Sequence, residues 1–421
     1  MNKKQIINLL RENRIVSWIK DGFDAMLYTW YYEYKNIFSD AGVLSLFVLA
    51  HLVYPILYPI PFYKGHDVVR EVPVAVIDDD KTSLSRQFIR MCDVNENIRV
   101  AVHHTSLEEA QNDFFKNRIN GIIVIPQGFS GDIYRNQKTS VSVYCDASYF
   151  YLYKQVLTGV KYAASYMSAG IQIQRFQSKG LSRPAAMAAR DPLPLISFPL
   201  FNPSNSYTNY LIPALLILIL QQTLLIGIGS LGGLSYEKKR YHYFLPVISN
   251  RGGIISVVLG KAGAYMSLFL LHSIYFFGII FRFHGLPMKS NLFNLMVFII
   301  PFLLAVIFLG IAISTVFRTR EMAMLLLLCT AMPFILVSGF SWPILAMPVW
   351  LKNLAMLLPS TTGIDGFMKI SILGAELRDV MFNWIFLWGL VAAYFLMSVF
   401  AMKTIISKSA NYTEGNNHDS I

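Results

Sequence analysis

The residues whose types could do chemistry are few in this sequence, and their spacing works against most of it. Asp78-Asp79-Asp80 has the acid density of a calcium loop, but the sixth position is not glycine and Ile89 stands where a bidentate glutamate would be needed. The run reads instead as a turn into a helix capped by Thr82 or Ser83, whose hydroxyls accept from free backbone N–H groups. His103 and His104 are neighbours on a strand-like run, so their side chains point to opposite faces and do not share a metal easily. The cysteines, Cys92, Cys145 and Cys329, show no C-x-x-C spacing, and Cys92 and Cys145 would join only in an oxidising compartment. Gly260-Lys261-Ala262 lacks the Ser or Thr after the lysine, and the glycine five residues before it, that a phosphate loop requires. There is no nucleophile elbow, H-E-x-x-H helix or paired-carboxylate site within the apolar runs. No catalytic residue, bound cofactor or metal is expected, and ATP hydrolysis is not expected from this chain.

Polar groups inside apolar runs are the next candidates: His51, Gln221, Gln222 and His272. In lipid such side chains turn to a bundle interior or a water-filled cavity, so they read as interhelical hydrogen-bonders or as contacts along a pathway. Lys261 and Arg282 lie near the ends of apolar runs and read as snorkelling anchors.

The solvent implied by the composition supports this. The 421 residues are 54% hydrophobic and 14% charged, where a soluble domain carries roughly 25% charged residues. The formal charge of +11 does not point to nucleic acid, because Lys and Arg are scattered beside apolar runs rather than gathered on one soluble face. Runs long enough to cross a bilayer fall at 41–63, 211–234, 254–281, 292–317, 322–340 and 381–402. Arg and Lys in the N-terminal segment, at Lys238, Lys239, Arg240 and Arg251, at Arg318 and Arg320, and at Lys403 and Lys408 alternate onto one face, which puts both termini in the cytoplasm. The first apolar run begins too far in for a cleavable signal peptide.

The expected fold class is an α-helical membrane protein with about six transmembrane helices plus an inserted α/β extracytoplasmic domain. Residues 1–40 form a cytoplasmic segment in which Phe23, Met26, Leu27, Trp30, Tyr31, Tyr34, Ile37 and Phe38 recur at helical steps. This stripe predicts a helix lying in the headgroup layer, with Asp24, Glu33 and Lys35 turned to water; a packed helix of a small cytoplasmic domain is the plainer reading. After the span at 41–63, residues 64–206 change to a soluble α/β pattern, with strands predicted at 72–77, 98–102, 121–125 and 141–144 and helices at 84–91, 107–116 and 151–177. Pro192, Pro194, Pro199 and Pro203 then mark an extended linker. The remaining spans occupy 207–403, with a loop at 235–253 and a tail at 404–421. Residues 338–359 are apolar but broken by Gly339, Pro343, Pro348 and Pro359, which predicts a re-entrant pair of short helices beside a pathway.

An ordered series of segments resembles the permease subunits of type-2 ATP-binding-cassette (ABC) exporters, in the bacterial multidrug-type branch with a large external domain after the first helix. The segments are Val74 to Asp78 with Asp80 and Ser83; Gly121 to Pro126 with Phe129; Asn202-Pro203 with Tyr210 to Pro213; and Ser338-Gly339-Phe340 with Pro343, Met347-Pro348, Trp350 and Pro359. They cover nearly the whole chain. Family members commonly carry Arg-Glu-x-Glu-x-Gly-Thr after the second span; here Glu237 is kept while Lys239 and the residues after it replace the second acid and the Gly-Thr. The resemblance implies a bacterial inner-membrane permease that moves an amphiphilic, drug-like or lipid-like substrate outward. It implies separate ATP-binding-cassette ATPase subunits carrying ATP and Mg, a second permease chain of the same or a related kind, a periplasmic adaptor, and membrane lipids as surroundings. Glu237, Lys238, Arg240, Trp30 and Tyr34 are the expected ATPase-coupling residues, and Gly339, Phe340, Pro343, Gln221 and Gln222 the expected gate or pathway. A membrane-anchored receptor with an extracytoplasmic ligand-binding domain is the alternative; it accounts for the insert but not for the broken connection before the last span.

Overall fold

The computed structural model describes residues 3–60, 69–202, 206–244 and 253–418. The chain divides into two compact units, residues 65–199 and residues 1–64 with 200–421. The second of these opens with helix α1 (Lys3–Ser39) and, across Asp40, helix α2 (Ala41–Leu57). The axes of Lys20–Ser39 and Ala41–Leu57 differ by 89°. Asp40 makes the corner: its backbone is extended and its carboxylate accepts the free Val43 N–H at 2.9 Å, so one helix ends and the next is capped at one residue. Residues 61–63, the end of the span expected at 41–63, lie outside the described residues.

The unit at 65–199 is built on β1 (Val72–Asp78), α3 (Ser83–Asp93), β2 (Ile98–His104), α4 (Leu107–Phe115), β3 (Gly121–Ile125), α5 (Phe129–Tyr134), β4 (Ser142–Cys145), α6 (Phe150–Ser178) and α7 (Arg183–Arg190). The sheet order is β2-β1-β3-β4, parallel except for β4. Because strand side chains alternate, Val72, Val74 and Val76 enter one core with Phe88, Val156 and Val160, while Ala75 and Ile77 enter another with Ala110, Ile119 and Ile122. The triple aspartate is a turn. Thr82 caps α3 by accepting from Ser85 N, Ser85 Oγ accepts from Thr82 N at 3.0 Å, and Asp78 receives the Ser85 hydroxyl at 2.8 Å. His104 is committed to Asp113 at 3.0 Å. Cys92 and Cys145 are free thiols, and burial, with Asp93 beside it, pushes the Cys92 thiol up to about 12. The short helices α5 and α7 were not among the expected elements; neither is long enough to show a period of its own.

The helical unit resumes with α8 (Tyr207–Glu237), a 3₁₀ turn (Arg240–Phe244), α9 (Gly253–His284), α10 (Leu292–Ser314), α11 (Arg320–Val337, broken at Thr330), a 3₁₀ turn (Ile344–Ala346), α12 (Val349–Met356), α13 (Pro359–Met368, continued by a π turn, Lys369–Leu373) and α14 (Met381–His418). Among the described residues five helices are long and apolar enough to cross a membrane, and α1 with α2 forms a bent pair that makes a sixth if it counts as one span. Phe298, Phe302 and Val306 put α10 in the centre, packed by α8, α9 and α14. The broken stretch at 338–359 holds turns and α12, with Trp342, Leu345 and Trp350 exposed. It returns inward as α13, a helix the sequence pattern did not reveal. Pro359 takes the first helical position, where its missing N–H is harmless, and Ser360, Thr361 and Thr362 are buried against α8, α10 and α14.

Candidate functional site

Several charged and aromatic side chains of the helical unit meet where α1, the corner at Asp40, the end of α8, the start of α9 and the turn from α10 into α11 come together. Small residues let α1 approach α9. A Cβ on Gly260 would fall 2.5 Å from the Met26 carbonyl oxygen, and one on Gly263 2.7 Å from the Trp30 ring, so neither position has room for a side chain. Tyr34 Oη and Ser267 Oγ, 2.7 Å apart, carry the same contact one turn further.

Inside this contact Glu33 is only 1% exposed. Lys261 Nζ lies 2.7 Å from Glu33 Oε2, and the Tyr265 hydroxyl donates to Glu33 Oε1. The ammonium also sits 5.4 Å from the centre of the Phe244 ring, in the 3₁₀ turn after α8. These observations correct two expectations: Glu33 does not turn to water and Lys261 is not a free anchor. A lone carboxylate or ammonium buried among apolar helices is costly, and each neutralises the other. Arg282 is exposed at the other end of α9.

Two further contacts tie the neighbouring elements. Arg320 Nη1 reaches Asp40 Oδ2 at 3.0 Å, joining the α1–α2 corner to the start of α11. Arg318 stacks on the Tyr236 ring, 4.7 Å from its centre, and donates to its hydroxyl, joining the end of α8 to the same turn. Glu237 and Lys238 are exposed at the end of α8 and Arg240 is half-buried. Of the loop at 235–253, residues 245–252 lie outside the described residues. Trp30 and Tyr34 face α9, whereas Phe23, Leu27, Tyr31 and Phe38 on the other side of α1 are exposed.

The expected gate residues fall into two groups. Gly339 holds φ at +87°, the left-handed region, and a Cβ there would meet Ile344 at 2.6 Å, so this turn requires glycine. Beside it Phe340 is 8% exposed and packs on the Tyr210 ring at 6.2 Å, and the Tyr210 hydroxyl donates to the Phe340 carbonyl. Pro343 precedes the 3₁₀ turn. Gln221 clamps the start of α13: its Oε1 accepts from Ser360 N at 2.9 Å and its Nε2 donates to Ser360 Oγ at 3.1 Å. Gln222, one residue on and turned to α11, donates to the Leu327 carbonyl. His51 lies 3.1 Å from Thr223 Oγ1 and stacks on His272, ring centres 4.4 Å apart. All four polar groups thus make contacts between helices.

Among the described residues no group of three His, Cys, Asp or Glu could hold a metal. What the arrangement can do is transmit displacement: four chain segments distant in sequence are pinned to one another by ion pairs and close backbone approach.

A family model described as ABC-2 family transporter protein matches residues 41–400. The chain belongs to the ABC-2 transporter family. Among curated proteins it is similar to the probable multidrug ABC transporter permease YbhR of Escherichia coli K12, 25% identical over 192 residues, which is 45% of this chain and 50% of that protein. The YbhR protein of E. coli O157:H7 matches to the same extent. The chain spans about half the length of the curated relatives it matches. The ABC-2 match begins at the residue after Asp40, so Lys261, Tyr265 and Arg320 fall inside it and Glu33 and Asp40 precede it.

Sequence reasoning did not single out Glu33, Asp40, Tyr265, Gly260 and Gly263 as members of this junction. A signal was present for the ion pair: an acid on an aromatic stripe and a lysine within an apolar run each need a partner, and each could have been assigned to the other.

Proposed function

We propose that this ABC-2 chain is the permease subunit of an ATP-driven exporter in a bacterial inner membrane, with both termini cytoplasmic and residues 65–199 on the outer side. Separate ATP-binding-cassette subunits bind ATP with Mg and do the hydrolysis. A second permease chain, the same or related, completes the path for an amphiphilic, drug-like or lipid-like substrate. The observation that carries the reading is the family match over 41–400, and the pinned junction supplies a mechanism for it.

A membrane subunit driven by a partner needs an exposed surface to be pushed and a stiff connection to the path. Glu237 and Lys238 at the end of α8, with half-buried Arg240, are that surface, and Glu237 pairs with a basic residue of the ATPase. The Tyr236–Arg318, Arg320–Asp40 and Glu33–Lys261 contacts make the connection, so a displacement at the end of α8 carries α11, α1 and α9 with it. The difference in ATP affinity between two arrangements of the partner then selects between two arrangements of the helices. At the other end of α8, Tyr210 against Phe340 forms an apolar closure that excludes water when shut.

Affinity purification of the chain from its native membrane tests this. An ATP-binding-cassette ATPase is expected to copurify, and its hydrolysis is expected to exceed that of the isolated ATPase. Glu237→Ala is expected to keep assembly and lose transport. A chain that purifies without an ATPase, or normal transport by the Glu237→Ala complex, contradicts the proposal or its coupling surface, respectively.

A further inference from the structure

A groove in the unit at 65–199 has no task in the export reading. It is a cavity of about 510 Å³ between α6, α5 and the chain entering β4, within the roughly 300–1,000 Å³ usual for small-molecule sites. Its space exists because Ala164 and Ser168, one turn apart on α6, are too small to fill the gap left where the chain turns away after α5. The floor is apolar: Phe88 and Phe129, ring centres 6.2 Å apart, with Val143, Val160 and Met167.

The polar lining has one sign. Lys138, Lys161 and Arg175 border the groove, and no Asp or Glu lines it. Arg175 is half-buried and donates from Nη2 to the Ile133 carbonyl at 2.6 Å, a neutral acceptor that leaves its charge uncompensated. Among the described residues no carboxylate lies within 4.0 Å of the charged nitrogens of these three side chains. A half-buried cation over an apolar floor is stabilised by an anion that brings its own apolar surface.

We propose that this groove binds an amphiphilic organic anion of drug or single-tail lipid size, its acidic head among Lys138, Lys161 and Arg175 and its tail over Phe129 and Met167. The site requires neither ATP nor transport, so its test reads binding alone and its failure leaves the export reading untouched.

The full chain in nanodiscs of zwitterionic phosphatidylcholine is exposed to a photoactivatable fatty acid or to the uncharged alcohol of the same tail, and labelled peptides are mapped by mass spectrometry. The acid is expected to label peptides covering 129–143 and 157–175 above the rest of 69–202, and the alcohol is not. Lys138→Glu with Lys161→Glu, both on exposed side chains, should lower that labelling about fivefold or more while labelling of the helical unit stays constant. Ala164→Trp, which fills the groove with its cations intact, should lower it as well. Equal labelling by acid and alcohol, labelling that survives both variants, or none above the surrounding surface overturns the proposal.

Discussion

Both units of this chain bury apolar side chains, but among the described residues only the helical unit also buries a carboxylate, imidazoles and amides. In the unit at 65–199 the interior is Val, Ile and Phe, and the charged groups lie outside in turns and caps, as water requires. In the helical unit apolar side chains are the ordinary outer surface: Leu325, Leu328, Met332 and Leu336 of α11 are all exposed. What its interior adds to an apolar core is polarity and small size, with Glu33, His51, Gln221, Ser360 and Thr361 buried and Gly260 and Gly263 at the closest contact between α1 and α9. When the solvent is hydrocarbon, apolar burial no longer drives helices together, and hydrogen bonds and close packing decide which faces meet. The same residue type therefore carries different information in the two units.

That contrast can be broken most sharply at Glu33. Glu33→Gln or Lys261→Met alone leaves a buried charge unpaired and should destabilise the helical unit by about 3–5 kcal/mol, whereas the double variant should recover most of the loss. Unfolding in lipid nanodiscs, analysed as a double-mutant cycle, measures it; additive effects would mean that the pair is not coupled. Next is Gly260→Val, which forces α1 off α9 and should cost about 1–3 kcal/mol. Gly278→Ala on the same helix, whose Cβ would meet nothing closer than 3.5 Å, should be tolerated, and equal loss in both would remove the close contact from the account.

The unit at 65–199 predicts smaller, local effects. Thr82→Ala removes the cap of α3 and should cost about 1 kcal/mol, read as faster hydrogen exchange in peptides from 72–93 with none in α10. The smallest effect is acid sensitivity at Asp80. Partial burial raises its pKa, but hydrogen bonds from the Thr82 hydroxyl and from Ser130 outweigh this and hold the carboxyl below its ordinary value. A group depressed by folding stabilises the fold above its unfolded pKa and loses that contribution as pH falls through the folded one. Proteolysis within 65–199 should therefore rise below the usual carboxylate range, and less steeply in Asp80→Asn; identical profiles would assign the acid response elsewhere.

How much of the molecule was legible in the sequence follows from the same contrast. The short β-branched apolar run of β1 and the hydroxyl before α3 announced the sheet and its first helix, because burial and capping leave local marks. Apolar length announced the spans, because crossing hydrocarbon needs a continuous apolar run of set length. The ion pair was only half legible: each member needs a partner, but the two are 228 residues apart and Glu33 sits in a stripe that looks complete without it. Helix α13 did not announce itself: Ser360, Thr361 and Thr362 form no apolar run, and their burial follows from contacts such as that of Gln221 with Ser360. The exposure of Glu237 and Lys238 at the end of α8 was legible, because a charged helix end needs no partner within the chain.

The most direct measurement is labelling of single engineered thiols by a membrane-impermeant reagent, in a chain with Cys92, Cys145 and Cys329 replaced by serine. Ala147→Cys in the sheet-containing unit should react in intact cells, and Lys238→Cys at the end of α8 only after lysis. Reaction of both from the same side would mean that α8 does not cross the bilayer, and the permease built on it would fail with it.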